Sequence, residues 1–66
     1  MHVWINGERR ELAVGASVLD ALAAIGVPRT GVAVAVDGAV VRRSDWPSTP
    51  LPAGARVEVL TAVQGG

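Results

Sequence analysis

Two Asx-Gly dipeptides constrain this chain more than any other feature: Asn6-Gly7 and Asp37-Gly38 each interrupt a short run of alternating apolar residues. A two-residue Asn-Gly or Asp-Gly loop supplies the two positive φ angles of a type I′ turn, so each dipeptide predicts a tight antiparallel hairpin. In the first hairpin Val3 and Ile5 share one face and His2 and Trp4 the other, with Arg9 to Val14 as the return strand. In the second, Val32, Val34 and Val36 lie opposite Ala33 and Ala35, and Ala39 to Arg42 returns.

Between the hairpins the period changes. Ser17 with Asp20 three residues on approximates a capping box, with Asp in place of the usual Glu or Gln. Val18, Leu22 and Ile25 recur at helical spacing with Leu19 beside them, and Ala21, Ala23 and Ala24 supply helix propensity. Gly26 suits the left-handed position that ends a helix, and Pro28 blocks continuation. One helix of roughly nine residues is predicted.

Residues 43–55 hold Pro47, Pro50, Pro52 and Gly54 and read as an irregular connection with room for one helical turn. Trp46 lies in it, and a Trp in a loop of so small a domain is expected to plug one end of the core. Arg56 to Ala62 is the last strand, with Val57 and Val59 inward and Glu58 and Leu60 outward. One helix covers only one face of such a sheet, so the class is α+β in two layers. Placing the last strand parallel to the first closes the core most economically. The result is the β-grasp, the ubiquitin-like architecture: a mixed sheet of four to five strands with one helix packed on one face. Residues 1–63 form the domain and 64–66 a flexible tail.

Composition narrows the chemistry. The chain has 66 residues, half of them apolar, enough for one efficient core and too apolar for disorder. It has no cysteine, which removes disulfides, thiolate metal sites and cysteine nucleophiles. Six basic residues, all Arg, balance six acidic ones, so no basic field is available for nucleic acid or anionic lipid. Apolar stretches break at Gly15, Asp20, Gly26 and Asp37, too early for a membrane span, and the segment after Met1 carries Arg9 and Arg10, unlike a signal peptide. A cytoplasmic location is expected.

An ordinary active site is not legible. His2 is the sole histidine and is expected on a mobile terminus. Ser17, Ser44 and Ser48 have no second histidine to activate them, and no metal-ligating set is apparent. No catalytic residue is assigned and the chain is expected not to be an enzyme.

The C-terminal Gln64-Gly65-Gly66 has two readings, a frayed end or a reactive handle. A glycine carboxylate carries no neighbouring Cβ and fits a narrow channel. Val63 to Gly66 span ~13 Å at full extension, enough to reach a buried site in a partner. The carboxylate is ionised at neutral pH and a poor electrophile, so it must be activated, for example as an acyl-adenylate, before sulfur or an amine can attack it.

Along essentially its whole length the sequence resembles the ThiS family, the sulfur carriers of thiamine biosynthesis. The resemblance rests on the opening strand and Asn6-Gly7 turn, the helix after Ser17, and the valine-rich strand into Asp37-Gly38. Its most specific part is Arg43-Ser44-Asp45-Trp46, then Arg56-Val57-Glu58-Val59 and the ending Ala62-Val63-Gln64-Gly65-Gly66. One departure is Arg42, where relatives often have Pro; it bears on local loop geometry. The resemblance implies that an adenylating enzyme of the ubiquitin-activating type uses ATP and magnesium to form an acyl-adenylate on Gly66. A cysteine-derived persulfide then displaces AMP to leave a thiocarboxylate, and thiazole synthase takes that sulfur. Gly66 would be the modified residue, Gly65 would give clearance, and Gln64 and Val63 would line the tail. No cofactor would be bound permanently.

Partners need a surface, and the uncovered sheet face is the candidate. Trp4 and Leu60 are expected to point there from adjacent strands, with Glu58 and Ala62 alongside; the alternative is that Trp4 merely shields the sheet. The free chain is expected to be a monomer. Competing readings are the small subunit of molybdopterin synthase, which shares fold, terminus and thiocarboxylate chemistry, a protein-conjugating ubiquitin-like modifier, and a plain β-grasp interaction module.

Overall fold

In a computed structural model, which describes residues 1–61, both Asx-Gly dipeptides take positive φ at each position: 51° and 81° at Asn6 and Gly7, 49° and 86° at Asp37 and Gly38. The turns join strands β1 (His2–Ile5) to β2 (Glu8–Glu11) and β3 (Val32–Val36) to β4 (Ala39–Val41). Helix α1 (Val18–Ile25) lies between the hairpins, a 3-10 turn covers Arg43–Ser48, and β5 (Arg56–Thr61) follows. The sheet order is β2-β1-β5-β3-β4, with β5 parallel to β1 and antiparallel to β3. This is the expected α+β mixed sheet with one helix.

Strand β2 is shorter than its sequence pattern. Glu11 pairs with His2 and Leu12 N–H still reaches Met1 O, after which the chain turns, with Ala16 N–H donating to Ala13 O and Gly15 at φ 88°. The segment Glu8-Arg9-Arg10-Glu11 places charge on an exposed sheet edge, which disfavours pairing with other chains.

Helix α1 begins at the expected cap. Ser17 Oγ accepts from Asp20 N–H at 3.2 Å, and Asp20 Oδ2 accepts from Ser17 N–H at 2.9 Å, so the two residues satisfy each other's backbone donors. It ends at Gly26 (φ 73°), where Gly26 N–H donates to Ala23 O and Val27 N–H to Leu22 O. Ser17→Ala is expected to cost about 1 kcal/mol in urea unfolding, and Ser17→Gly only a few tenths. Equal losses from the two substitutions would show that the cap is not what Ser17 contributes.

The core lies between α1 and the inner sheet face. Val3 and Ile5 of β1, Val34 of β3, and Val57 and Val59 of β5 are buried against Val18, Ala21 and Leu22 of the helix. Ala21 is fully buried, while Ile25, in the last turn, is only half-buried. Trp46 closes the end of the core at 2% exposure, and its indole Nε1 donates to Val41 O at 2.9 Å. A bridge between Ser17 and Pro50, flanked by Leu51 N–H to Ala16 O and Val18 N–H to Thr49 O, ties the connection to the helix entry.

Candidate functional site

The sheet face away from α1 is a large surface that the described residues leave without a second layer. Alternation along β1 and β5 turns His2, Trp4, Arg56, Glu58 and Leu60 outward while Val3, Ile5, Val57 and Val59 go inward. Trp4 is 42% exposed and Leu60 69% exposed.

The outward residues do not form one patch. Trp4 pairs with Arg56, and Leu60 lies four residues further along β5, about 13 Å away. An open groove of about 850 Å³ crosses the face, lined by Trp4, Asn6, Asp37, Arg56 and Glu58 and by the two turn glycines. Leu60 instead lies beside a smaller hollow of about 360 Å³, with Gly31, Val32, Ala33 and Thr61. Trp4 and Glu58 are thus brought together, and Leu60 stands apart on the same face, opposite Ala33 of β3. Ala62, Val63, Gln64, Gly65 and Gly66 lie outside the described residues.

Both hairpin turns hold β5 where it carries this face. Asp37 Oδ1 accepts from Arg56 N–H at 2.9 Å, and Asp37 N–H donates to Arg56 O at 2.8 Å. On the opposite flank, Asn6 Oδ1 accepts from Val59 N–H at 2.8 Å and Asn6 Nδ2 donates to Val59 O at 3.1 Å. The two Asx side chains therefore do more than form turns. An Asx residue in a turn is a visible signal, but reach to β5 follows only once the sheet order is known.

His2 is not on a mobile terminus but opens β1, paired with Glu11. Its Nε2 lies 2.6 Å from Arg9 Nη2 and 2.8 Å from Glu11 Oε1. The Met1 ammonium donates to Glu11 Oε2 at 2.7 Å, and this bond, with the charges of His2 and Arg9, holds the Glu11 carboxyl below its usual range. The cluster is exposed and fastens the start of β1. Among the described residues no three His, Asp or Glu side chains gather as metal ligands, no buried side-chain polar atom lacks a partner, and no helix is long and apolar enough to cross a membrane.

The ThiS family model matches residues 3–66. A sulfur carrier protein ThiS from Thermus thermophilus is 39% identical over 64 residues, covering 97% of this chain and 98% of that protein. The crystal structure of a thiamine biosynthesis protein (ThiS) from Geobacter metallireducens superposes with a TM-score of 0.82 at 29% identity, covering all of both chains. A solution structure of a thiamine biosynthesis protein from the same organism gives 0.80 at 29% identity, covering all of this chain and 88% of that one.

Proposed function

The chain belongs to the ThiS family, the non-catalytic sulfur carriers of thiamine biosynthesis, and on that premise we propose that Gly66 is the residue that carries the sulfur. The observation that supports this most is that the family match runs through Gly65-Gly66 to the last residue of the sequence. Residues 1–63 act as the delivering body and 64–66 as the tail. An adenylating partner of the ubiquitin-activating type joins the Gly66 carboxylate to AMP, releasing pyrophosphate from Mg-bound ATP. Persulfide sulfur then displaces AMP to give an acyl disulfide between Gly66 and the donor cysteine. A second thiol cleaves its S–S bond, leaving a disulfide with that cysteine, and the thiocarboxylate released on Gly66 is handed to thiazole synthase. Gly65 keeps the approach to the carbonyl free of a Cβ, while Val63 and Gln64 make up the rest of the tail.

Incubation with the adenylating enzyme, Mg-ATP and a persulfide donor tests this directly. The intact mass is expected to rise by the difference between sulfur and oxygen, and a thiol-selective reagent to alkylate a chain that has no cysteine. An unchanged mass in the presence of active partners would contradict the reading.

The docking surface is the open sheet face, with Trp4 and Glu58 at the groove, Leu60 further along β5, and Ala62 beyond it. Trp4 is the expected anchor, because an exposed aromatic ring loses little conformational freedom on being covered. Trp4→Glu is expected to weaken binding to the adenylating enzyme by about 30-fold or more, at the 2 kcal/mol scale of an interface anchor. Its unfolding midpoint should stay near that of the parent, since the side chain lies outside the core. Parental affinity in this variant would remove Trp4 from the interface.

A further inference from the structure

Strand β1 stops one residue before β5 needs it. In the parallel ladder Trp4 N–H donates to Ala55 O at 2.8 Å and Asn6 N–H to Val57 O at 2.9 Å. The next rung would take the N–H and C=O of Val59, but the chain turns away at Asn6 with φ 51°. The Asn6 side chain fills that rung instead, accepting from Val59 N–H and donating to Val59 O. A carboxamide has the donor and acceptor of a peptide group, so it continues the ladder where the backbone has left it.

We propose that Asn6 is a positioning residue for the charging of Gly66, holding the end of β5 in the direction from which residues 62–66 are presented to the adenylating partner. The proposal rests on the sulfur-carrier reading. Past Val57, β5 has β3 on one side, through the pairs Val34–Val59, Ala33–Leu60 and Val32–Thr61, and the Asn6 amide on the other. Without that amide β5 past Val57 is held from the β3 side alone, where β4 reaches no further than the Val34–Val41 pair, and narrow ribbons twist more than wider sheets. An added twist of ~10° at Val57 moves Thr61, four residues on and about 13 Å away, by about 2 Å. Trp4 and Glu58 lie beside the pivot and move least. Docking is thereby separated from delivery.

Asn6→Gly isolates the effect, because Gly accepts the positive φ and keeps the turn while deleting both contacts to Val59. Pyrophosphate exchange with the adenylating enzyme is expected to show kcat lowered about tenfold, a misplacement effect at the reacting carbonyl. KM should change less than about threefold, because the docking residues Trp4 and Glu58 are retained although one groove-lining side chain is lost. Proton exchange at the Val59 amide should become fast. Asn6→Asp, which keeps an acceptor for Val59 N–H, is expected to lose about threefold in kcat, and it decides the matter should the Gly variant not fold. A kcat within about twofold of the parent in the folded variants overturns the inference, and so does a loss carried wholly by KM. Failure of the parent chain itself to be charged would overturn the sulfur-carrier reading, and this inference with it.

Discussion

A chain shortened by Gly65 and Gly66 is expected to fold as the full chain does and to accept no sulfur. Gly65 and Gly66 carry no side chains to bury, so removing them should change unfolding stability by less than about 0.5 kcal/mol. Charging is different in kind. Deletion moves the carboxylate back along the tail by about 7 Å and sets the Gln64 side chain beside it. A displacement of ~1 Å at a reacting centre already costs up to about 10²-fold, so activity should fall below detection. The same variant should leave a thiamine auxotroph unrescued. A milder probe, Gly66→Ala, adds one Cβ next to the carboxylate and tests the narrow-channel argument, with a loss of about 10- to 100-fold expected. Growth without thiamine on the shortened chain would mean that the terminus is not the handle.

Trp46→Ala is expected to be the most damaging single change in the body of the domain. The indole is buried at the end of the core, near the start of α1, and its Nε1–H is bonded to Val41 O. Large-to-small changes of this kind cost about 3–5 kcal/mol, against a total of ~3–10 kcal/mol for a domain of this size. Thermal unfolding followed by circular dichroism should show a midpoint lowered by roughly 15–30 °C. Trp46→Phe restores most of the volume and isolates the hydrogen bond, with about 1–2 kcal/mol lost by leaving the Val41 carbonyl without its partner. If the two variants were equally unstable, the volume of the ring would not be the reason Trp46 is held there.

The elements that local chemistry decides were legible in the residues. Both hairpins follow from Asx-Gly turns, the helix start from Ser17 and Asp20, and its end from Gly26. The parallel placement of β5 beside β1 followed from having one helix to cover one sheet. Features that depend on a distant partner were not legible. Strand β2 ends at Glu11 and the chain turns at residues 13–16, where Ala16 N–H bonds back to Ala13 O, although the alternating pattern runs on to Val14. Ala21 had the look of a helix-propensity residue, yet it is fully buried in the core. His2, at the chain's beginning, is drawn into β1 by its pairing with Glu11. At the candidate site, the outward direction of Trp4, Glu58 and Leu60 followed from alternation. Their division between two hollows did not, because it depends on the parallel register that sets Trp4 against Arg56. The contacts of Asn6 and Asp37 to β5 span 53 and 19 residues and belong to the assembled sheet, not to the turns that contain them.

Tandem mass spectrometry of the charged protein tests the central claim most directly. After reaction with the adenylating enzyme, Mg-ATP and a persulfide donor, fragments containing Gly66 should carry the mass increase of one oxygen exchanged for sulfur. Fragments ending before Gly66 should be unshifted. Sulfur located on any other residue, or a Gly66 fragment of unaltered mass from a preparation that still supplies thiazole synthase, would contradict it.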